Sequence, residues 1–164
     1  MIRFYKEFDY QNKIKLQGKR VDGRYHGVAV SCFIEGGAAG PRESARMVLD
    51  PDGGVSVFVG GTSIGQGLET VMVQIAADAL GMPMEKLRIF HGSTTAVKEG
   101  FGSFHSRSTV MSGTAVLMAA RELKAEIGKR LGREVDSLKD LDLKALAPIQ
   151  VETTFHNHRH TYAS

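Results

Sequence analysis

A glycine-rich segment, residues 60–67, carries the first group of residues whose types suit ligand binding. It reads GGTSIGQG and directly precedes an amphipathic stretch. Glycine lacks a Cβ and tolerates positive φ, so a ligand can approach the backbone closely. A following helix points free N–H groups and its positive dipole end at the same place. Gln66 adds an amide that both donates and accepts. The segment predicts one wall of an anion site, with Gly65, Gln66 and Gly67 as contacts. A tight strand-to-helix turn explains the glycines equally well.

A second segment, residues 100–109, reads GFGSFHSRST and precedes the longest predicted helix. Hydroxyls, backbone amides and a guanidinium at a helix N-terminus form a phosphate cradle. Helix capping requires only one serine, so this density favours anion binding through Ser103, Ser106, Arg107 and Ser108. Neither segment has the pattern of a P-loop or of a dinucleotide fingerprint.

The elements that must position these segments predict an α+β fold, with short β-sheets and helices packed on them. The residues from 55 to 90 read as a strand–loop–helix–strand crossover. A turn at residues 50–54 predicts a hairpin, and Gly81 stands where a helix should end. Apolar periodicity predicts strands over 25–34, 45–49, 55–59, 87–90 and 149–155, and helices over 68–80, 109–131 and 137–145.

Composition excludes several classes of protein. The 164 residues are 42% hydrophobic and 24% charged, which is typical of a globular chain. The net charge of +3 is spread out, so no nucleic-acid partner is expected. No segment is long and apolar enough for a membrane span and no signal peptide is evident, which predicts a cytoplasmic protein.

Metal binding by side chains is not expected either. Cys32 is the single cysteine, so disulfides and all-cysteine sites within the chain are excluded. In a β-rich segment we interpret it as a small buried hydrophobe. His156, His158 and His160 alternate, but no carboxylate or cysteine completes a site, which favours a solvated strand end.

Several motifs together resemble a known family. Their order is that of the molybdopterin-binding part of the large subunits of molybdenum hydroxylases, the oxidoreductases that include xanthine dehydrogenase, aldehyde oxidase and aerobic carbon monoxide dehydrogenase. The resemblance covers residues 23–130. The motifs are GQG at 65–67, ET at 69–70, QIAADALGMP at 74–83, HGST at 91–94, GFGS at 100–103, SRST at 106–109 and GTAV at 113–116.

The resemblance implies roles for the two loops. Gln66 would hydrogen-bond to the pterin of the molybdenum cofactor, and Gly65 and Gly67 would give backbone access. The second loop would bind the cofactor phosphate through its serines, with Arg107 beside them. The cofactor is molybdopterin, with its cytosine dinucleotide form as a variant. Residues 1–22 would be an N-terminal extension and 23–164 the molybdopterin-binding segment, as a fragment of a larger domain.

The resemblance also implies what this chain lacks. The family's catalytic glutamate motif and its Phe-Gly-Gly loop have no counterpart, and one cysteine cannot hold an iron–sulfur cluster. We therefore expect no catalytic residue here and no turnover by the chain alone. The expected partners are the remaining large-subunit segments and iron–sulfur and flavin subunits or domains. The alternatives are a stand-alone phosphate- or nucleotide-binding module and a non-catalytic structural remnant.

Overall fold

A computed structural model describes residues 2–34, 36–38, 40–97 and 99–156. The chain forms two compact units, Met1–Ile34 and Glu35–Ser164. The first unit contains two short helices and a two-stranded antiparallel sheet. These elements are α1 (Ile2–Glu7), α2 (Tyr10–Lys13), β1 (Arg20–Val21) and β2 (Arg24–Tyr25).

The second unit is a four-stranded sheet with helices against it. The strand order is β5-β4-β3-β6, in which β4 and β5 are parallel and the other pairs are antiparallel. The parallel pair is joined through α3, so the predicted crossover and the α+β class are confirmed. The elements are β3 (Arg42–Leu49), β4 (Val55–Val59), α3 (Leu68–Leu80), β5 (Leu87–Phe90), α4 (Gly113–Leu131), α5 (Leu143–Leu146) and β6 (Ile149–His156).

One face of this sheet forms the core with α3 and α4. Alternate residues of β3 and β4 share that face because successive side chains of a strand point to opposite sides. Burying each large apolar side chain contributes about 1.5–3 kcal/mol. The fully enclosed members include Ala45, Met47, Leu49, Val55 and Val57 from the strands, and Met72, Leu80, Val116, Leu123 and Ile127 from the helices. None of the helices in the described part of the chain could cross a bilayer.

Glycines end both long helices, as the sequence indicates. Gly81 follows α3 with φ 63°, and Gly132 follows α4 with φ 66°. These left-handed conformations suit a residue without a Cβ. Ser137 donates a hydrogen bond of 2.8 Å to the Gly81 carbonyl, so a distant segment also satisfies the end of α3.

Three local predictions were wrong. In place of the strand predicted over 25–34 the structure has β2 and an isolated bridge from His26 to Gln17, because no strand among the described residues pairs with residues 27–34. Cys32 is exposed rather than buried. The helix predicted over 137–145 is reduced to α5, because Ser137 binds the end of α3 and Asp142 caps the later turn.

The β3–β4 turn is held by Arg88 from β5. Its guanidinium contacts Asp50 at 2.6 Å and Asp52 at 2.8 Å. The hydrogen bonds from Arg88, and then that from the Gly54 N–H, hold the pKa of Asp52 well below its ordinary range. The turn predicted from sequence is confirmed. It is also bound to β5, a contact that the apolar periodicity of the sequence does not predict.

The two helix-ending glycines provide a matched pair of substitutions. Gly132→Ala should destabilise by about 1–2 kcal/mol, the cost of a left-handed Cβ, because that position has open space. Gly81→Ala should cost more, since its Cβ would lie 2.6 Å from Ser137 Oγ. Urea unfolding measures the loss of stability in each variant, and equal losses would contradict the close contact between residue 81 and Ser137.

The turn also predicts a pH dependence. A carboxyl group whose pKa is lowered on folding contributes stability above its unfolded pKa, and that stability is lost as pH falls. The stability difference between wild type and Asp52→Asn should therefore shrink below about pH 4. Exposed Asp140→Asn serves as the control. A difference that stays constant on acidification would exclude the Arg88 contact as its source.

Candidate functional site

The glycine loop, residues 60–67, joins β4 to α3; it begins at the half-buried Gly60 and the buried Gly61, bends over residues 64–66 and is exposed from 64 to 67. Gly65 and Gly67 have φ 95° and 75°, and no atom lies within 4 Å of a Cβ built on either. Gly67 is the N-cap of α3 and supplies no side-chain cap. The first N–H groups of a helix have no partner inside it. The loop therefore presents open backbone beside the donors of the first turn of α3.

Gln66 folds its side chain back onto this loop. Its Nε2 donates to the Thr62 carbonyl at 3.1 Å, and its Oε1 accepts from the Ile64 N–H at 2.6 Å. The amide thus shapes the loop from within. Its predicted contact with a ligand stays a prediction, and such a contact would compete with these two bonds.

Ser103 joins the glycine loop to the serine loop, residues 100–108. Its hydroxyl accepts from the Thr62 N–H at 2.9 Å and donates to the Thr62 carbonyl at 2.5 Å. The Ser103 hydroxyl of the serine loop therefore bonds to both the N–H and the carbonyl of Thr62 in the glycine loop. The structure brings the two predicted segments together.

The later serines of the second loop differ in exposure. Ser106 is exposed and has φ 47°, which is rarely adopted by a residue with a side chain. Ser108 is buried at the start of a π-helical turn, Ser108–Ser112, that leads into α4. The hydroxyls of Ser108 and Ser112 are buried and have no hydrogen-bond partner within the described residues. Unpaired buried hydroxyls are costly, so these two are donors in need of an acceptor.

The structure encloses Arg107 completely. Its guanidinium forms an ion pair with Glu43, which is also fully buried, and donates to the Gly102 and Arg42 carbonyls at 3.0 and 2.7 Å. Arg107 is adjacent to the serines in sequence, but its side chain lies on the buried side of the serine loop. Nothing local in the sequence marks Glu43 as the partner of Arg107, because the two residues are 64 positions apart.

Glu69, at the start of α3, links the glycine loop to the end of β5. It accepts a hydrogen bond of 2.9 Å from Ser63 and lies 2.9 Å from His91 Nε2. Its own backbone N–H, then Ser63 and His91, lower the pKa of this carboxyl. The negative charge is therefore bound to neighbours at one side of the loop. In the sequence, Glu69 and His91 stand out only as members of the ET and HGST motifs.

A polar cavity of about 260 Å³ opens beside these loops. Its walls include Thr62 of the glycine loop, Ser93 and Thr94 after β5, and three glycines, Gly60, Gly92 and Gly100. His156 ends β6, whereas His158 and His160 lie outside the described residues. Within the described ranges, no three histidine, cysteine or acidic residues are grouped as metal ligands would be.

The sequence matches the family described as molybdopterin cofactor-binding domain over residues 3–157. The chain belongs to this family. The donors of its two loops fit the cofactor, because phosphate and pterin groups are bound by hydroxyls and backbone N–H groups. The orphaned hydroxyls of Ser108 and Ser112 and the open backbone at Gly65 are structural observations that agree with the assignment.

Similar proteins support the same family membership. The chain is 37% identical over 128 residues to subunit gamma of the 6-hydroxypseudooxynicotine dehydrogenase complex of Paenarthrobacter nicotinovorans, covering 78% of this chain and 16% of that protein. It is 37% identical over 111 residues to the carbon monoxide dehydrogenase large chain of Afipia carboxidovorans, covering 61% and 14%. This molybdopterin-binding chain thus corresponds to about a sixth of those proteins.

Solved structures agree on the fold. The chain is similar to quinoline 2-oxidoreductase from Pseudomonas putida 86, with a TM-score of 0.60 and 26% identity over 72% of this chain and 19% of that one. A Cu,Mo-CO dehydrogenase gives a TM-score of 0.58 and 28% identity, covering 69% and 18%.

Substituting Ser103 tests the connection between the loops. Ser103→Ala removes the acceptor of the Thr62 N–H, and a net hydrogen bond contributes about 1 kcal/mol. Amide hydrogen exchange at Thr62 should therefore accelerate by about fivefold. Ser93→Ala is the matched control, since the Ser93 hydroxyl bonds to Thr95 within its own turn and not to the glycine loop. Unchanged exchange in Ser103→Ala would exclude the connection.

Proposed function

We propose that this chain supplies two cofactor-binding loops of a xanthine dehydrogenase-type molybdenum hydroxylase. The observation that carries the proposal is the junction at Thr62, where Ser103 binds the glycine loop to the serine loop. It places the first turn of α3 and the π-helical entry to α4 around one region. Two helix N-termini, open glycine backbone and serine hydroxyls are the chemistry that recognises a phosphorylated heterocycle.

In this proposal the glycine loop contacts the pterin. Gly65 and Gly67 leave the backbone accessible, and Gln66 exchanges its bonds to Thr62 and Ile64 for bonds to the ring edge. The Thr62 carbonyl keeps its bond from Ser103 and the exposed Ile64 can bond to water, so the net cost is small. When bound, the cofactor supplies the molybdenum redox chemistry.

The serine loop contacts the phosphate. Ser106 is exposed, and the buried Ser108 hydroxyl has no hydrogen-bond partner in the described part of the chain. Ser103 holds the loop against Thr62 and so orients its neighbours. Arg107 contributes from behind the loop through its bond to the Gly102 carbonyl.

We further propose that the chain works in an assembly and does not turn over substrate alone. The expected partners are the remaining large-subunit segments together with iron–sulfur and flavin subunits or domains, in the cytoplasm. Two relatives carry names of this kind, a complex subunit gamma and a large chain. Residues 1–22 would then be an extension of the cofactor-binding segment 23–164.

Cofactor content tests the proposal directly. The chain is produced in a host that makes the molybdenum cofactor and purified with its co-purifying polypeptides. Molybdenum is measured by mass spectrometry and the pterin by fluorescence after oxidation. We expect both in the wild type and a large loss in Gly67→Ala, whose Cβ would require a strained left-handed residue at the site.

Gly132→Ala is the matched control, because it introduces the same backbone strain at the far end of α4. It should retain wild-type cofactor content. Bound phosphate without pterin or molybdenum would favour a stand-alone phosphate module. A chain that holds neither in any assembly would be a structural remnant, and turnover by the chain alone would contradict the assembly.

A further inference from the structure

A buried charge occupies the core-facing side of β3. Residues 45, 47 and 49 of this strand point into the apolar core, and Glu43 continues the same alternation. It is 0% exposed, and so is Arg107. Two oppositely charged side chains are therefore paired out of water, beside both loops of the site.

Arg107 uses this position to hold the serine loop. One guanidinium nitrogen donates to Glu43 and to the Gly102 carbonyl, and the other donates to the Arg42 carbonyl. The rings of Phe101 and Phe104 lie 5.5 and 5.6 Å from the guanidinium carbon. The planar group therefore bonds to the strand and to the loop at the same time.

Glu43 connects the pair to the glycine loop. Its Oε2 accepts from the Phe101 N–H at 3.3 Å. Its Oε1 faces Gly60, where an added Cβ would overlap that oxygen and also the backbone of Gly100. The first residue of the glycine loop and the first residue of the serine loop thus meet beside this carboxylate.

Stability does not require such a pair. Replacing a buried ion pair with packed apolar side chains is often neutral or stabilising. Apolar side chains, however, would offer no donor to the Gly102 and Arg42 carbonyls and no acceptor to the Phe101 N–H. Through these hydrogen bonds, the charged pair fixes the distance between the backbones of the glycine loop and the serine loop.

We propose that Glu43 and Arg107 are positioning residues that set the spacing of the two loops and thereby control cofactor binding. The inference rests on the proposed function, because it concerns the same site. Neither side chain touches the cofactor; both act through the backbone of residues 60 and 100–102.

Arg107→Lys separates position from charge. Lysine keeps the positive charge for Glu43, but its donors share one nitrogen and cannot reach both carbonyls as the guanidinium does. In metal sites, removing the partner that orients a ligand typically weakens binding about 10- to 100-fold. By the same reasoning we expect cofactor affinity to fall by up to about this factor, pterin and molybdenum content to fall with it, and amide exchange at residues 101–103 to accelerate.

Ile127→Ala is the stability control. It truncates a core side chain of α4, and Ile127 lies roughly 28 Å along the helix from Ser108. At a temperature where both variants are folded by circular dichroism, Ile127→Ala should keep its cofactor and Arg107→Lys should not. Equal losses at equal unfolding temperatures would overturn the inference, since the pair would then act only through stability.

Glu43→Gln provides a second route in case Arg107→Lys does not fold. Glutamine keeps the size and the acceptor for Phe101 but leaves the buried Arg107 charge without its counterion, which is destabilising. Cofactor content is therefore compared at a temperature where circular dichroism shows this variant folded. Retained cofactor in this variant would also overturn the inference. If the wild type holds cofactor and both variants hold as much, only the positioning role is refuted. If the wild type holds neither pterin nor molybdenum, the proposed function itself is refuted.

Discussion

The close approach of Gly60 and Gly100 is the constraint on which the rest of the site depends. No side chain fits between these backbones, and the buried pair of Glu43 and Arg107 fills the adjacent space. From this point one chain segment runs into α3 and the other into α4. The sheet therefore fixes where both helices begin, and the helix beginnings are where the donors for an anion lie.

The same constraint explains why polar groups accumulate at this end of the fold. The core between the sheet and the helices is apolar over most of its length. At its site-facing end, Glu43, Arg107, Ser108 and Ser112 are buried instead. Buried polar groups cost stability unless they are bonded, so their concentration at one end is typical of a site that evolved to bind something.

Local sequence patterns predicted the parts of the fold that local forces determine. The apolar stripe of α3 and the β3–β4 turn lie within short windows, so their periodicity and turn residues were sufficient. The strand predicted over 25–34 was wrong because a strand needs a partner, and pairing is not a local property. The helix predicted over 137–145 was wrong because Ser137 donates to the Gly81 carbonyl, 56 residues away. The ion pair of Arg107 with Glu43 could not be predicted from sequence, since the two residues are 64 positions apart. The family resemblance supplied the cofactor, which no residue pattern alone names.

The Thr62 carbonyl accepts hydrogen bonds from both Gln66 and Ser103, so neither loop can reorganise without disturbing the other. Such cross-bonding lowers the conformational entropy of the loops before any ligand arrives. A rigid cleft loses less freedom on binding than two independent loops would. It also couples the two loops. A ligand that binds Gln66 must break the bond from Gln66 to the Thr62 carbonyl, and Ser103 of the serine loop holds that carbonyl in place. The cleft is thereby biased toward ligands long enough to occupy both loops at once, and against small anions that reach only one.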